Sequence, residues 1–371
     1  MKCHIDRTLF LKSLGRVQGI IEKRSNMPIL SMILLEANGS SLQVSATDLE
    51  IAFRQSLEAQ IDQEGAVAAP GRKLFEILRE STGSTIQIFQ KENNWIYLSD
   101  GTAEFNLAGL PAEEFPGMVE PEEVSFFEVD ASLISEMITK TIYAVTMEEA
   151  GFKLSGIYTE KIAEAGKEML RMVGTDGHRL SLVDKEIPGL QNLQLPGGVV
   201  IPKKGMTEIN RLASEGGTIH IGFKQSNCIA KKDTAIIMIR LLETKFPDYH
   251  AVIPKRPRCK ITVNRALLLQ AMKKMLILSN ERYKAVKITL GENVMDLHST
   301  NPDLGEAEEK ISVDYQEEPL ELAFNARYFI DVLQNMESEE IELSFVDDSK
   351  PCVIRGDLDQ GFMGLIMPMR I

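Results

Sequence analysis

Three segments of the chain carry apolar residues at the spacing of an amphipathic helix. They are Asp6–Arg24, Asp130–Val145 and Asn264–Leu278. Each begins with Asp or Asn, residues that cap a helix by accepting a hydrogen bond from its first free amides. Side chains at i, i+4 and i+7 lie on one face, so we predict that each segment forms a helix with one buried stripe. The residues of the three stripes are Phe10, Leu14, Val17 and Ile21, then Ile134, Ile138, Thr141 and Val145, then Leu268, Met272 and Met275.

The sequence around these helices also recurs three times, in the same order. The second helical segment of each copy begins at Pro70, Pro202 and Asn325. Turns led by threonine, with the sequences TDLE, TDGH and TNPD, begin at Thr47, Thr175 and Thr300. Landmarks that repeat in a fixed order indicate a duplicated unit. We therefore predict three domains of one fold, over residues 1–122, 123–256 and 257–371.

Strand signals fill the segments between the helices. Asn38-Gly39, Asn93-Asn94 and Glu292-Asn293 each separate two apolar runs of the kind that form the strands of a hairpin. The order helix, strands, helix, strands within a copy predicts an α+β domain whose helices gather on one face of a sheet.

Charge is distributed unevenly along the chain. The whole chain carries a net charge of −13, yet the six helical segments together carry +8 and the remainder −21. The segment 130–149, at −3, is an exception. Basic helices would suit contact with nucleic acid in a protein that is otherwise acidic. The alternative is that Lys and Arg simply keep helix faces in water, as they do in most proteins.

The sequence contains no motif typical of an enzyme, a nucleotide-binding site or a metal site. Asp176 and His178, with Ser181 nearby, could form an acid–base pair, but Asp and Gly are also turn formers and we interpret TDGH as a turn. The four cysteines lie far apart, which favours buried free thiols over metal binding. We expect no catalytic residue, no metal and no cofactor.

Membrane attachment is not expected either. The start of the chain has no apolar run long enough for a signal peptide, and no stretch nears the ~20 apolar residues needed to span a bilayer. We expect a cytoplasmic protein.

The chain ends in the apolar sequence LIMPMRI, from Leu365 to Ile371. Two interpretations are open. The segment could be a final edge strand packed on its own domain. It could also form an adaptable, methionine-rich groove for partner peptides, because methionine side chains repack around varied ligands.

Several phrases together resemble the family of bacterial DNA polymerase III beta subunits, the sliding clamps. The phrases are PILSMILLEA with TDLE, TDGHRL, KFPDY, ILSNER, NARYFIDVL and the terminal MPMR. The resemblance covers the whole chain in order. It implies three repeated domains of the DNA clamp fold, with two protomers joined head to tail in a closed ring, helices inside and sheets outside.

The resemblance also implies a function without catalysis. A clamp of this kind is a processivity factor that encircles duplex DNA and holds polymerases on it through a peptide-binding cleft. The implied partners are duplex DNA bound without sequence preference, the polymerase III catalytic subunit, the clamp loader, other polymerases and repair proteins, and a second copy of the chain.

Three sets of site residues follow from the resemblance. The partner-peptide cleft is assigned to Leu154, Thr175, Gly177, His178, Arg179, Leu180, Pro247, Val252, Ile366, Met367, Pro368, Met369 and Arg370. The DNA-facing residues are Arg24, Arg72, Arg79 and Lys204. The dimer interface is assigned to Lys73, Phe105 and Leu107 of one protomer and to Ile277 and Leu278 of the other.

Three positions depart from the family pattern. Glu148 stands where Gln or Asp is frequent, Ala251 where some members have Arg, and Gly364 where an aromatic residue often precedes the tail. The last two are expected to alter peptide preference without abolishing the cleft. The competing hypothesis is a scaffold built from repeats that binds proteins alone.

Overall fold

Six segments with helical periodicity form α-helices. The structure is a computed structural model that describes residues 1–22, 26–117, 124–146, 155–164, 166–195 and 197–370. Within that part of the chain the helices are α1 (Arg7–Val17), α2 (Gly71–Glu80), α3 (Ala131–Ile142), α4 (Lys203–Ala213), α5 (Arg265–Ile277) and α6 (Ala326–Gln334).

The predicted caps and stripes of the first helix in each repeat are confirmed. The side chains of Asp6 and Asn264 accept hydrogen bonds from the amides of Leu9 and Leu267, and Asp130 accepts one from the amide of Ser132. All eleven stripe residues are buried, although Ile21 and Val145 lie beyond the ends of α1 and α3.

The prediction was wrong about the length of α1, which ends at Val17 rather than near Arg24. Gly15 and Gly19 weaken the helix there, because glycine loses the most backbone freedom in a helix. The amides of Ile20 and Ile21 both bond to the Val17 carbonyl, so the chain leaves the helix in a tight turn. Ile21 follows that turn, outside the helix, and its side chain is still buried.

The chain divides into two compact units. The first contains Met1–Ser135, Gln191–Pro196 and Thr207–Leu241. Its strands are β1 (Lys2–Asp6), β2 (Met32–Asn38), β3 (Ser41–Thr47), β4 (Ile51–Gln63), β5 (Gly65–Pro70), β6 (Thr85–Gln90), β7 (Trp95–Ser99), β8 (Glu104–Ala108), β9 (Phe127–Asp130), β14 (Thr218–Lys224), β15 (Asn227–Lys232) and β16 (Ala235–Arg240). They form one antiparallel sheet in the order β8-β7-β6-β1-β4-β16-β15-β14-β9, with β3, β2 and β5 branching from β4.

The second unit contains Glu136–Leu190, Gly197–Met206 and Leu242–Ile371. Its strands are β10 (Gly156–Glu164), β11 (Lys167–Thr175), β12 (Arg179–Glu186), β13 (Val199–Pro202), β17 (Cys259–Asn264), β18 (Ala285–Gly291), β19 (Val294–Asn301), β20 (Gly305–Ser312), β21 (Leu320–Asn325), β22 (Glu340–Phe345), β23 (Cys352–Gly356) and β24 (Phe362–Ile366). One sheet has the order β13-β10-β11-β12-β24-β23-β22-β17 and the other β20-β19-β18-β21.

Each large sheet is built from two neighbouring repeats. In the first unit β4 pairs with β16, and in the second unit β12 pairs with β24. The two units therefore divide the second repeat between them. A repeat separated from its neighbour would leave a strand with unpaired backbone amides and carbonyls.

The threonine-led turns make the same hydrogen bonds in the first two repeats. Thr47 Oγ1 accepts from the amide two residues later and donates to the carbonyl four residues later, and Thr175 Oγ1 does the same. The following residues, Asp48 and Asp176, each accept two further amides through Oδ1. In the third repeat Asn301 Oδ1 accepts the amide of Asp303. These bonds support the interpretation that the segments are copies of one motif.

A buried ion pair joins α3 to the loop before β24 in the second unit. Lys140 Nζ lies 2.9 Å from Asp359 Oδ1 and 3.0 Å from Glu136 Oε1. Asp359 also accepts hydrogen bonds from the hydroxyl and amide of Ser338 and from the amide of Glu337. Burial alone would raise the pKa of Asp359, but these bonds outweigh it and the pKa is lowered.

All four cysteines are buried and free, as predicted. Burial raises the pKa of Cys3 to about 11 and that of Cys228 to about 12. Among the described residues, no group of His, Cys, Asp or Glu could hold a metal ion. None of the described helices has the length and apolarity that a membrane span requires.

Replacing Asp359 tests the buried ion pair. Asp359→Asn leaves the Lys140 ammonium buried without its main counter-charge, so the free energy of unfolding at pH 7 is expected to fall by about 3 kcal/mol. Because the folded-state pKa of Asp359 is lowered, its contribution is complete above the ordinary Asp pKa and is lost as the pH falls through the folded-state value. The difference between wild type and variant in urea unfolding should therefore shrink in acid.

Asp357→Asn is the matched control, because Asp357 is exposed in the same loop. An equal loss of stability in both variants, or a difference that does not change with pH, would contradict the assignment.

Candidate functional site

Three segments assigned to the cleft meet on one hydrophobic cluster of the second unit. The segments are the turn 175–180 between β11 and β12, residues 247–252, and the tail after β24. Leu180, Leu365, Phe246 and Tyr249 belong to that cluster. Phe246 stacks on Tyr158, with ring centroids 4.7 Å apart. The cluster fixes the three segments relative to one another, because each contributes or adjoins a residue buried in it.

The tail leaves the middle of a sheet and not its edge. β24 pairs with β12 on one side and with β23 on the other. Beyond it, the amide of Met367 bonds to the carbonyl of His178 at 2.9 Å, and the amide of Met369 bonds to that of Ala323 at 2.7 Å. The backbone of the tail is held while the side chains of Met367, Pro368 and Met369 stay half-exposed. This arrangement favours the groove over the edge-strand interpretation.

The turn 175–180 is rigid because its own side chains bond its backbone. Asp176 Oδ1 accepts hydrogen bonds from the amides of His178 and Arg179, at 2.9 and 3.0 Å. Its Oδ2 accepts one from Arg179 Nε at 2.9 Å. All three of these bonds hold the turn itself together. The exposed His178 side chain stands at the tip of the turn.

Arg179 links the turn to elements of the third repeat. Its Nη1 lies 2.6 Å from Asp331 Oδ2 on α6, and its Nη2 donates to the Tyr143 carbonyl at 2.6 Å. The guanidinium also lies over the rings of Tyr328 and Tyr143, 4.6 and 5.6 Å from their centroids. Only 11% of the Arg179 side chain is exposed. All of these contacts point inward, so Arg179 positions the turn instead of offering a free charge to a ligand.

Sequence reasoning missed the residues that hold Arg179. Asp331, Tyr143 and Tyr328 show no pattern in the sequence that relates them to the turn, because they come from distant segments. Burial lowers the pKa of Lys203, and the positive charge of the nearby Arg179 lowers it further. Burial likewise raises the pKa of the Tyr143 phenol.

The remaining cleft assignments fall into exposed and buried sets. Gly177, His178, Pro247, Val252 and Arg370 are exposed. Thr175, Leu180 and Ile366 are buried, and Ile366 has no exposed surface. We assign Ile366 to the floor beneath the cleft, because it cannot touch a ligand there. Leu154 lies outside the described residues, as does Glu148, whereas Ala251 is exposed and Gly364 buried.

The assigned DNA-facing residues differ in their surroundings. Arg79 is exposed and pairs with Glu80 at 3.0 Å. Arg72 and Lys204 are half-buried, and Arg24 lies outside the described residues. Two other arginines of the first unit serve the fold: Arg16 makes two bonds to Glu215, and Arg7 donates to the carbonyls of Leu78 and Ser81. Part of the positive charge counted on the helices is therefore internal.

The assigned interface residues lie at or near open sheet edges. Phe105 and Leu107 are half-buried on β8, which stands at the end of its sheet. β20 is the corresponding end strand of the small sheet in the second unit. Ile277 is 73% exposed, Leu278 is half-buried, and Lys73 is exposed and pairs with Glu76.

Three consecutive parts of the chain match the domains of one family. Residues 1–119 match the DNA polymerase III beta subunit N-terminal domain, residues 128–248 the central domain and residues 250–370 the C-terminal domain. A beta sliding clamp from Caulobacter vibrioides is 34% identical over 374 residues, which is 100% of both chains.

Solved structures give the same result. A sliding clamp (DNA polymerase III subunit beta) from Bartonella birtlesii, bound to griselimycin, superposes with a TM-score of 0.94 at 32% identity over 100% of both chains. The DNA polymerase III beta subunit from Thermotoga maritima gives 0.91 at 28% identity, over 100% of this chain and 99% of its own.

Substitutions at the neighbouring residues Arg179 and His178 distinguish a residue that supports the cleft from one that contacts the ligand. Arg179→Lys keeps the charge but cannot reach Asp176, Asp331 and the Tyr143 carbonyl together. We expect it to lower the free energy of unfolding by about 1–3 kcal/mol and to weaken the binding of polymerase-derived peptides. His178→Ala removes an exposed ring, so it should weaken peptide binding while stability stays within about 0.5 kcal/mol of wild type.

Urea unfolding and fluorescence anisotropy with one labelled peptide measure the two effects. An Arg179→Lys variant as stable as wild type would show that the network does not hold the turn.

Proposed function

The chain belongs to the DNA polymerase III beta subunit family, the sliding clamps, and from that premise we propose how this clamp binds its partners and DNA. Two copies close head to tail into a ring around duplex DNA. Polymerases are held at the ring through short peptide segments that enter the cleft. The three repeats, over residues 1–122, 123–256 and 257–371, act as three domains in each copy, so the ring has six.

The proposal of a peptide-binding cleft rests mainly on the geometry of the tail. Met367, Pro368 and Met369 present half-exposed apolar side chains from a backbone fixed at both ends by hydrogen bonds. A peptide that buries apolar side chains there meets adaptable methionines on a rigid support, which limits the entropy lost on binding. The occupants proposed are the polymerase III catalytic subunit, the clamp loader, and other polymerases and repair proteins.

Contact with DNA is proposed to be weak and independent of sequence. Arg24, Arg72, Arg79 and Lys204 would approach phosphates, and a contact that carries no base readout permits sliding. Retention then depends on the closed ring, since threaded DNA cannot leave sideways. This resolves the contrast between a net charge of −13 and a function on a polyanion.

The ring interface is proposed to join β8 of one protomer to the β20 edge of the other. Each strand ends its sheet and offers unpaired backbone groups. Lys73, Phe105 and Leu107 would face Ile277 and Leu278.

We propose no catalytic activity and no cofactor, and a cytoplasmic location. Asp176, the best candidate for an acid or base, is committed to three hydrogen bonds within its turn.

Removing the tail tests the cleft. Deletion of Met367–Ile371 is expected to weaken the binding of polymerase-derived peptides at least tenfold, because the apolar surface and the two tail hydrogen bonds are lost together. Fluorescence anisotropy measures the affinity, and the mass in solution verifies that the dimer persists. Unchanged affinity in a dimeric variant would place the cleft elsewhere.

Linearising the DNA tests the ring. The protein loaded on nicked circular DNA should stay bound through gel filtration and should be lost when one cut gives the DNA free ends. Reversing Arg24, Arg72, Arg79 and Lys204 to Glu should reduce loading on the circle. Retention on linear DNA, or a monomer in solution, would contradict the proposal, whereas a protein scaffold would not retain circular DNA at all.

A further inference from the structure

A second pocket of the second unit adjoins the cleft. It has a volume of about 570 Å³ and shares Val252 with the cleft. Its apolar floor includes Val252, which is 42% exposed, together with the half-buried Ile253 and Val346. A ligand that enters the cleft beside Val252 can therefore extend into this pocket without leaving the protein surface.

The rim of the pocket is positively charged in a protein that is acidic as a whole. Lys255, Arg256 and Lys350 line it and are exposed. In the part of the chain that the structure describes, the side chains of Lys255 and Arg256 make no ion pair and no hydrogen bond, unlike Arg258 and Lys260, which pair with glutamates. The two cations are therefore available to a ligand.

Of the described residues that line the pocket, Asp248 alone has a carboxylate. Its Oδ1 accepts the amide of His250 at 3.2 Å and so caps the short helical turn Tyr249–Val252. Asp347, next to the lining residue Val346, offsets part of the Lys350 charge. The excess of positive charge in the pocket therefore comes mainly from Lys255 and Arg256.

We propose that this pocket receives an acidic segment that flanks, in the same partner chain, the apolar residues bound in the cleft. The proposal rests on the proposed function of the cleft and adds a charge requirement to it. Glutamate or aspartate side chains of the flank would meet Lys255, Arg256 and Lys350, while its aliphatic parts would cover Val252 and Val346.

The lining favours a peptide over single-stranded nucleic acid. Grooves for single strands combine cations with aromatic rings on which bases stack. Among the described residues, no Phe, Tyr or Trp lines this pocket, and its floor is aliphatic. The His250 ring in its lining packs against the Tyr249 ring, with centroids 4.1 Å apart. Charge complementarity at such a rim mainly raises the rate of association and the selectivity for acidic partners, and it weakens with salt.

The test compares two forms of one labelled peptide from the clamp-binding segment of the polymerase III catalytic subunit. One form carries three glutamates on either side of the apolar core, and the other carries three glutamines at the same positions. With wild-type protein at about 50 mM salt, we expect the acidic form to bind about 3- to 10-fold more tightly, as two or three exposed ion pairs would give. At about 500 mM salt the ratio should fall to less than about twofold.

The variant Lys255→Glu/Arg256→Glu should bring the ratio to 1 or below. The matched control is Lys231→Glu/Arg240→Glu, which makes the same charge change at exposed positions of β15 and β16 and should keep the wild-type ratio. Using a ratio removes any general effect of a variant on the cleft.

Each other outcome overturns a stated part of the proposal. If the glutamine form fails to bind at all, the cleft is wrong; if it binds and the ratio is 1, only the acidic flank is wrong. An equal loss of the ratio in both double variants would reveal a general charge effect. The peptide ratio could also stay unchanged in the Lys255→Glu/Arg256→Glu variant while that variant alone loses binding to a single-stranded oligonucleotide. That result would assign the pocket to nucleic acid. A loss of self-association in that variant alone, again with an unchanged peptide ratio, would assign the pocket to a second copy of the chain.

Discussion

Backbone pairing across repeat boundaries is the constraint on which the rest of the structure depends. β4 meets β16 in one unit and β12 meets β24 in the other, so neighbouring repeats complete each other's sheets. Because a buried strand cannot leave its amides and carbonyls unpaired, a single repeat is not an independent building block. The same pairing fixes β24 in the middle of a sheet, and it thereby sets the place from which the tail emerges.

Much of this architecture is visible in the sequence. The caps at Asp6, Asp130 and Asn264 and the apolar stripes predict where three helices begin and which face they bury. Local rules suffice there, because a helix is stabilised by residues within one or two turns. The end of α1 was predicted less well, since the stripe continues to Ile21 after the helix has stopped.

The candidate site was predictable only in part, because its support comes from distant residues. The turn at Thr175 can be read from its Asp and Gly, yet its connection to Asp331 joins positions 152 residues apart. Charge counting has the same limit. It treats Arg7 and Arg16 as surface charge, although Arg7 is bonded to the carbonyls of Leu78 and Ser81 and Arg16 to Glu215. Only the folded chain distinguishes such arginines from the free cations at Lys255 and Arg256.

The burial of all four thiols has a practical consequence for spectroscopy. A cysteine reacts with maleimides or spin labels as the thiolate, and the raised pKa values of Cys3 and Cys228 leave almost none of that form at neutral pH. Cys259 and Cys352 are buried as well, with raised pKa values. A single cysteine introduced on an exposed strand would therefore take up a dye selectively in the native chain, with no need to remove the natural ones first.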